Sequence, residues 1–513
     1  MKNLAPVSAQ AHSNAFPWLP LFVGLLLLAF GLRVIGLGSR TLWFDESIEY
    51  WMAQRPLSEL YLEVSNATHD PPLYSYLLHG WQLLGIQEFW LRLPALYASM
   101  LGIAGTAVLA TRAFNRRTGL VAALLLMLAA ADIRYAQEAG QYALMICLVA
   151  WNLLFLYLAC RQDGRWRWWL LWGATAVLSV YTHYGTALVI LASSMMALLQ
   201  LAYRRRWAAV GKLVGVGVLA ISFILPLVLI VVPRQIDRLG ATPHPFGLRE
   251  FALISARILV FQFLGNEAIL RWPWEVAPNW LPAIPVLWAM LFAVRHKKWR
   301  MLPGWLAVTW LVYYLVGRTG TYFYDSTRHS MLLTPLIMVT VAAGLVTLWQ
   351  RQRLAAGLLL LFIVVAALLI PREAQEDLRT VVTVWRQQAR PGDSTYVYYG
   401  AVPGFRYQLD VQTGSVSALP GSWYGDCWRP GNDPAFCREN GVYYGNWARS
   451  GTPEMLRASM LDTLGRWPER LWLVFAHIYQ TEDAAFLAAL DDVYRVAFHK
   501  SAVGADLYLL TRR

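Results

Sequence analysis

Residues 40–51 read Arg40-Thr-Leu-Trp-Phe-Asp45-Glu46-Ser-Ile-Glu-Tyr-Trp, two adjacent carboxylates directly after an aromatic pair. A carboxylate beside a membrane surface can serve as a general base for a hydroxyl, or it can cap a helix start by accepting from backbone amides. Both readings stand for Asp45, with Glu46 as a neighbour that tunes or positions it. Ile48, Trp51, Met52 and Leu57 follow at the spacing of an amphipathic interfacial helix. Further on, His69-Asp70 precede Pro71-Pro72, which stiffen the chain and deny it a helix until Leu73. Arg134, Glu138 and Tyr142 share a helical face at i, i+4 spacing, with Tyr135 and Gln137 among them. Polar groups entering an apolar helix face a cavity or the bundle interior, and an Arg134–Glu138 structural pair is the simpler account of that face. Tyr181-Thr-His183-Tyr184-Gly185 adds an imidazole, and Arg328-His329 opens a late apolar run with a charge suited to phosphate. No metal set has ligand-like spacing, so no cofactor is required. A divalent cation site, if built, would draw on His69, Asp70 and His183 with Glu138.

These groups need elements to carry them, and composition says which kind. The chain has 513 residues, 57% hydrophobic and only 15% charged, with mean hydropathy +0.41. A water-soluble surface of that size needs more charge. The net charge of +13 resides mostly in short loops between apolar runs, which marks membrane topology and argues against a nucleic-acid partner. Apolar runs at 17–37, 89–111, 118–133, 140–160, 167–183, 186–203, 212–232, 279–294, 301–317, 329–349 and 354–371 predict about eleven spanning helices.

Every second loop is basic: Arg112, Arg116 and Arg117; Arg161, Arg165 and Arg167; Arg204, Arg205, Arg206 and Lys212; Arg295, Lys297, Lys298 and Arg300; Arg351 and Arg353. The positive-inside rule makes those loops and the N-terminus cytoplasmic, and the rest extracytoplasmic, in the cytoplasmic (inner) membrane of a cell with an envelope. The first span alone orients poorly, since Lys2 precedes it while Arg33 and Arg40 follow; it lacks the small-residue cleavage site of a signal peptide. The candidate groups all fall on the outer side: in loop 38–88, in the turn near 132–139, after Tyr181 and in loop 318–328. Loop 233–278 reads as long, aromatic and irregular.

Residues 1–371 thus form an all-α polytopic membrane domain, with interfacial helices in loop 38–88. Residues 372–513 form a small soluble extracytoplasmic α/β domain. Ser394–Tyr399 and Leu471–Phe475 read as buried strands, and Asp377–Gln388 and Ala484–Asp492 as helices. Cys147 and Cys160 lie in apolar runs as packing residues; Cys427 and Cys437 lie close together in a polar stretch suited to a local disulfide in an oxidising compartment.

The ordered set Trp43-Phe44-Asp45-Glu46, Asp70-Pro-Pro-Leu-Tyr74, Arg92-Leu-Pro94, Arg134-Tyr-Ala-Gln-Glu138 and Tyr181-Thr-His183-Tyr184 resembles the polytopic GT-C glycosyltransferases. The likeness is to the bacterial branch related to protein O-mannosyltransferases and lipid A aminoarabinose transferases. It extends through Arg328-His329, Pro391-Gly-Asp393 and Phe405-Arg-Tyr407. The resemblance implies transfer of a hexosyl or pentosyl group from a polyprenyl monophosphate, such as undecaprenyl phosphate, to a hydroxyl on a lipid, glycan or protein acceptor. It places the catalytic base on Asp45, with direct displacement inverting the anomeric centre. Arg92, Arg134 and Arg328 become candidates for the donor phosphate, alongside His69, Asp70, Tyr135, Gln137, Glu138, Tyr142, His183, Tyr184 and His329 for substrate. The family often has His directly before the prolines, where this chain has Asp70 with His69 one residue earlier. Two other readings share the topology: a transporter or flippase of lipid-linked sugars, and a ligase or polymerase using a pyrophosphate-linked glycan. The visible absence of repeated halves and the gathering of charge at one surface favour the transferase.

Overall fold

A computed structural model of the chain describes residues 18–61, 71–161, 165–239, 247–265, 280–294, 301–368, 375–414, 438–439, 441–445, 452–478 and 481–513. The helical part runs α1 (Trp18–Val34), α2 (Phe44–Ala53), α3 (Leu73–Trp81), α4 (Glu88–Ala113), α5 (Arg116–Leu128) and α6 (Ala130–Ala136). It continues through α7 (Tyr142–Arg161), α8 (Trp166–Thr182), α9 (Thr186–Tyr203), α10 (Trp207–Leu239) and α11 (Leu248–Leu264). Then come α12 (Ala283–Val294), α13 (Met301–Arg318), a 3-10 turn (Arg328–Leu333), α14 (Thr334–Arg351) and α15 (Arg353–Leu368).

Each predicted apolar run coincides with a helix. By length and composition, 5 of the described helices can cross a membrane: Glu88–Ala113, Tyr142–Arg161, Thr186–Tyr203, Trp207–Ile230 and Arg328–Arg351, or 6 if α5 and α6 count as one bent span. The run predicted at 118–133 is not straight: the chain bends by 62° at Ala129, whose ψ of 112° is extended. Loop 233–278 is also corrected, because α10 continues to Leu239 and α11 fills its middle.

The break at Ala129 explains Arg33. Backbone groups freed inside an apolar bundle must find partners there, and the Arg33 guanidinium donates to the carbonyls of Leu126 (3.1 Å) and Met127 (3.2 Å). Its charge is balanced by Asp132 at 2.6 Å, and Ser99 bridges the two. Arg33 is therefore half of a buried ion pair and not a free flanking charge, which removes part of the orientation conflict read from the first span.

The C-terminal part opens with α16 (Leu378–Gln388), β1 (Ser394–Val397), α17 (Val402–Thr413), β2 (Arg438–Glu439) and β3 (Val442–Tyr444). It closes with α18 (Pro453–Leu464), β4 (Arg470–Ala476), α19 (Glu482–Leu490), β5 (Tyr494–Ala502) and β6 (Ala505–Arg512). The strands form one sheet of order β2-β3-β1-β4-β6-β5, parallel across β3-β1-β4 and antiparallel elsewhere. Strand alternation divides β4 between two cores. Leu471, Leu473 and Phe475 pack with α18 and α19, whereas Trp472, Val474 and Ala476 share a core with Phe44, Ile48 and Trp51 of α2. The membrane loop and the sheet are thus joined by one continuous core.

The tail motifs serve this junction. Phe405 and Tyr407 are fully buried, and Arg406 lies over the Trp51 ring at 5.0 Å. Tyr50 donates to Asp410 (3.1 Å), and the Trp51 indole to the Pro403 carbonyl (3.2 Å). Asp393 instead closes the turn before β1, accepting from Arg470 at 2.8 Å and the Trp472 indole at 2.9 Å.

Candidate active site

Phe44, Asp45 and Glu46 occupy the first turn of α2, where the helix dipole favours negative charge. The two carboxylates divide the labour. Glu46 reaches back to accept the Trp43 amide at 3.3 Å, so the capping role falls to it and not to Asp45. It is 2% exposed, takes Arg92 in a bidentate pair with both contacts at 2.7 Å, and accepts the Ala139 amide at 2.7 Å. Arg92 spends its remaining donors on the carbonyls of Leu37, Arg40 and Thr41. All five of its N–H groups are committed within the protein, which leaves none for the phosphate expected of it.

Asp45 stands apart from that lock. Its side chain is 35% exposed and forms an ion pair with Arg328. The Arg328 guanidinium lies over the rings of Trp43 (5.8 Å) and Tyr142 (5.5 Å). Tyr142 in turn contacts Tyr135 (5.1 Å) and His183 (5.6 Å), so three of the predicted residues form one aromatic wall with Arg328.

A polar cleft beside this wall is lined by Arg40, Thr41, Trp43, Glu46, Arg92, Arg134, Gln137, Glu138 and, from the start of the C-terminal part, Gln375. Arg134 stacks on Tyr135 at 5.7 Å and makes no ion pair with Glu138 among the described residues, contrary to the structural pair read from their spacing. Glu138 is buried, which with the nearby Glu46 carboxylate pushes its carboxyl up to about 8 although Arg328 and Arg134 pull the other way. Gln137 is a clamp: it accepts from Arg40 (3.1 Å) and donates to the Arg33 and Ile35 carbonyls (both 2.9 Å).

On the other side, an apolar cavity of about 730 Å³ runs between α8, α9 and α10. His183, Tyr184, Tyr322 and His329 close its end nearest Arg328. His329 pairs with Asp325 at 2.9 Å. Burial would push the Asp325 carboxyl up, but the hydrogen bonds from His329 and Thr327 hold it below the usual carboxylate range. Gly185 is needed here, because a Cβ would lie 2.2 Å from the Tyr322 hydroxyl.

A family model described as dolichyl-phosphate-mannose-protein mannosyltransferase matches residues 69–230. No curated protein matches the chain. Among solved structures, ArnT from Cupriavidus metallidurans in the apo state superposes with TM-score 0.55 at 13% identity, covering 97% of this chain and 98% of that one. The same protein bound to undecaprenyl phosphate gives 0.54 at 14% identity, over 96% and 98%. The Archaeoglobus fulgidus oligosaccharyltransferase tethered to an acceptor peptide gives 0.50 at 12% identity, over 96% and 74%. The chain has the GT-C glycosyltransferase fold.

Within the GT-C fold the structure brings together Asp45, Arg134, Tyr135, Glu138, Tyr142, His183, Tyr184, Arg328 and His329, while Glu46, Arg92 and Gln137 line the polar cleft with their polar groups bonded into its wall. His69, Asp70, Cys427 and Cys437 lie outside the described residues. Cys147 and Cys160 are buried and unpaired. Among the described residues no three His, Cys, Asp or Glu side chains gather as metal ligands. Sequence reasoning gave no site role to Arg40, although it opens the Asp45 motif, and missed Gln375 in the polar cleft and Glu376 and His477 near Phe44, whose distance in sequence hid them.

Proposed function

We propose that this protein is a membrane glycosyltransferase that moves a sugar from a polyprenyl monophosphate to an acceptor hydroxyl, with Asp45 as general base. The carrying observation is the placement of Asp45: partly exposed in the first turn of α2 and paired with Arg328, which lies over Trp43 of the polar cleft and directly precedes His329 of the apolar cavity. The likeness of fold to ArnT bound to undecaprenyl phosphate supports a lipid-linked donor. The cavity follows α9 from Ala187 to Leu198, about 17 Å at 1.5 Å per residue, and suits part of a prenyl chain. Its polar end would hold the phosphate beside Arg328 and His329, with Arg134 within the cleft.

The chemistry follows. A donor phosphate competes with Asp45 for the Arg328 guanidinium, so its arrival releases the carboxylate for the acceptor. Asp45 takes the hydroxyl proton as the oxygen attacks the anomeric carbon and the bond to phosphate breaks through an oxocarbenium-like state. Single displacement inverts that carbon. Negative charge grows on the departing phosphate, where Arg328 and Arg134 stabilise it and protonated Glu138 can donate a hydrogen bond. We further propose that all eleven apolar helices cross the cytoplasmic membrane, with the site and the C-terminal domain extracytoplasmic.

Proteoliposomes holding the purified chain test the reading. Undecaprenyl monophosphate sugars should be consumed with release of undecaprenyl phosphate. Consumption of pyrophosphate-linked glycans alone, or movement of lipid-linked sugar across the vesicle without chemistry, contradicts it.

A further inference from the structure

We propose that His477 and Glu376, both from the C-terminal part, are positioning residues that fix Asp45 from behind. The inference rests on the reading of Asp45 as base. The parallel strands β1 and β4 end with their carboxyl edges toward α2, and His477 is the first residue past β4. Its φ of 52° is left-handed, a conformation that non-glycine residues rarely hold without compensation. The compensation is visible: the imidazole stacks on Phe44 at 4.1 Å and 7°, and Nδ1 meets Glu376 Oε1 at 2.7 Å.

Glu376 completes the bracket. Its other oxygen accepts the Phe44 amide at 3.0 Å, and its backbone carbonyl accepts the Thr41 hydroxyl at 2.5 Å. Glu46 already serves the Trp43 amide, so two carboxylates from opposite sides satisfy consecutive amides at the start of α2. The residue that follows is Asp45. Glu376 is itself held by the β5–β6 turn: Asp377 donates to the Val503 carbonyl at 2.7 Å, and Gly504 packs so closely that a Cβ would lie 2.0 Å from the Gln375 carbonyl. Asp45 thus has one flanking ring, Phe44, on His477, and the other, Trp43, under its partner Arg328. A displacement of this turn by a fraction of an ångström misaligns the base while the apolar cavity between α8, α9 and α10 contains none of the turn's residues.

The test uses the full chain in proteoliposomes, undecaprenyl monophosphate sugars as donor and a cell-envelope extract as acceptor. His477→Ala should lower kcat by about tenfold or more, while the donor KM stays within about twofold. His477→Asn should recover most of that loss, since Asn tolerates the left-handed backbone and its amide can donate to Glu376. Should His477→Ala not fold, Glu376→Gln carries the same expectation at unchanged volume. Wild-type kcat in His477→Ala, or a loss that His477→Asn fails to recover, overturns the proposal. Asp45→Asn run in parallel separates the two readings: if it is inactive while His477→Ala is normal, only the positioning role falls, and if it is active the base assignment falls.

Discussion

Arg328 forms an ion pair with Asp45 and bridges the turn before α14 to the first turn of α2. The pair links the strand of residues lining the polar cleft to those closing the apolar cavity, and gives one guanidinium two anionic claimants in turn: the carboxylate and the donor phosphate. Arg328→Ala should raise the donor KM about tenfold or more, the cost of roughly 1.4 kcal/mol in binding. Arg328→Lys should fall between, because an ammonium lacks the planar fork. Steady-state kinetics with undecaprenyl monophosphate sugars reads the series. An unchanged KM in Arg328→Ala removes the phosphate from this residue.

Arg92 and Arg134 should behave oppositely. Arg92 is 2% exposed and paired with buried Glu46, so Arg92→Ala leaves a carboxylate uncompensated and should cost about 3–5 kcal/mol. Its signature is loss of folded protein in a thermal melt. Arg134→Ala should leave the melt in place and weaken donor binding. Equal melts for the two variants contradict the division between frame and site.

Glu138 sets a pH dependence of stability. Its carboxyl holds a proton to about 8 in the folded chain against an ordinary value of 4.5. Between those values the folded state binds the proton that the unfolded state has released, so stability declines as pH rises through that window. Below 4.5 both states are protonated and the penalty is absent. Glu138→Gln stays neutral, so its melting temperature should fall less than wild type between pH 5 and 9. Parallel curves for the two proteins speak against the raised carboxyl.

Hydropathy made the helical frame legible, since spanning segments need long apolar runs whatever their partners. The short apolar and aromatic runs at 394–399 and 471–475, realised as β1 and β4, and the helix after Asp377 were legible from equally local patterns. The break at Ala129 was not, because neither Pro nor Gly marks it; the partner that satisfies the carbonyls beside it, Arg33, lies 93 and 94 positions away. Helix α11 was hidden by Arg249, Glu250 and Arg257, which dilute its apolar face. The spacing gathered Arg134, Glu138 and Tyr142 on one face but could not show that Arg134 stacks on Tyr135 instead of pairing with Glu138. The adjacency of Asp45 and Glu46 could not say which was buried, because that depends on Arg92 and on Ala139 from a distant turn. Glu376 and His477 carried no local signal at all.

The most direct test of the account is transfer by Asp45→Asn in proteoliposomes, with folding followed by gel filtration and thermal melting. The substitution keeps shape and removes the proton acceptor together with the charge that pairs with Arg328. Transfer should drop by about 10²–10⁴-fold while the protein stays folded and still binds undecaprenyl phosphate. Wild-type turnover in that variant would contradict the assignment of Asp45 as the base.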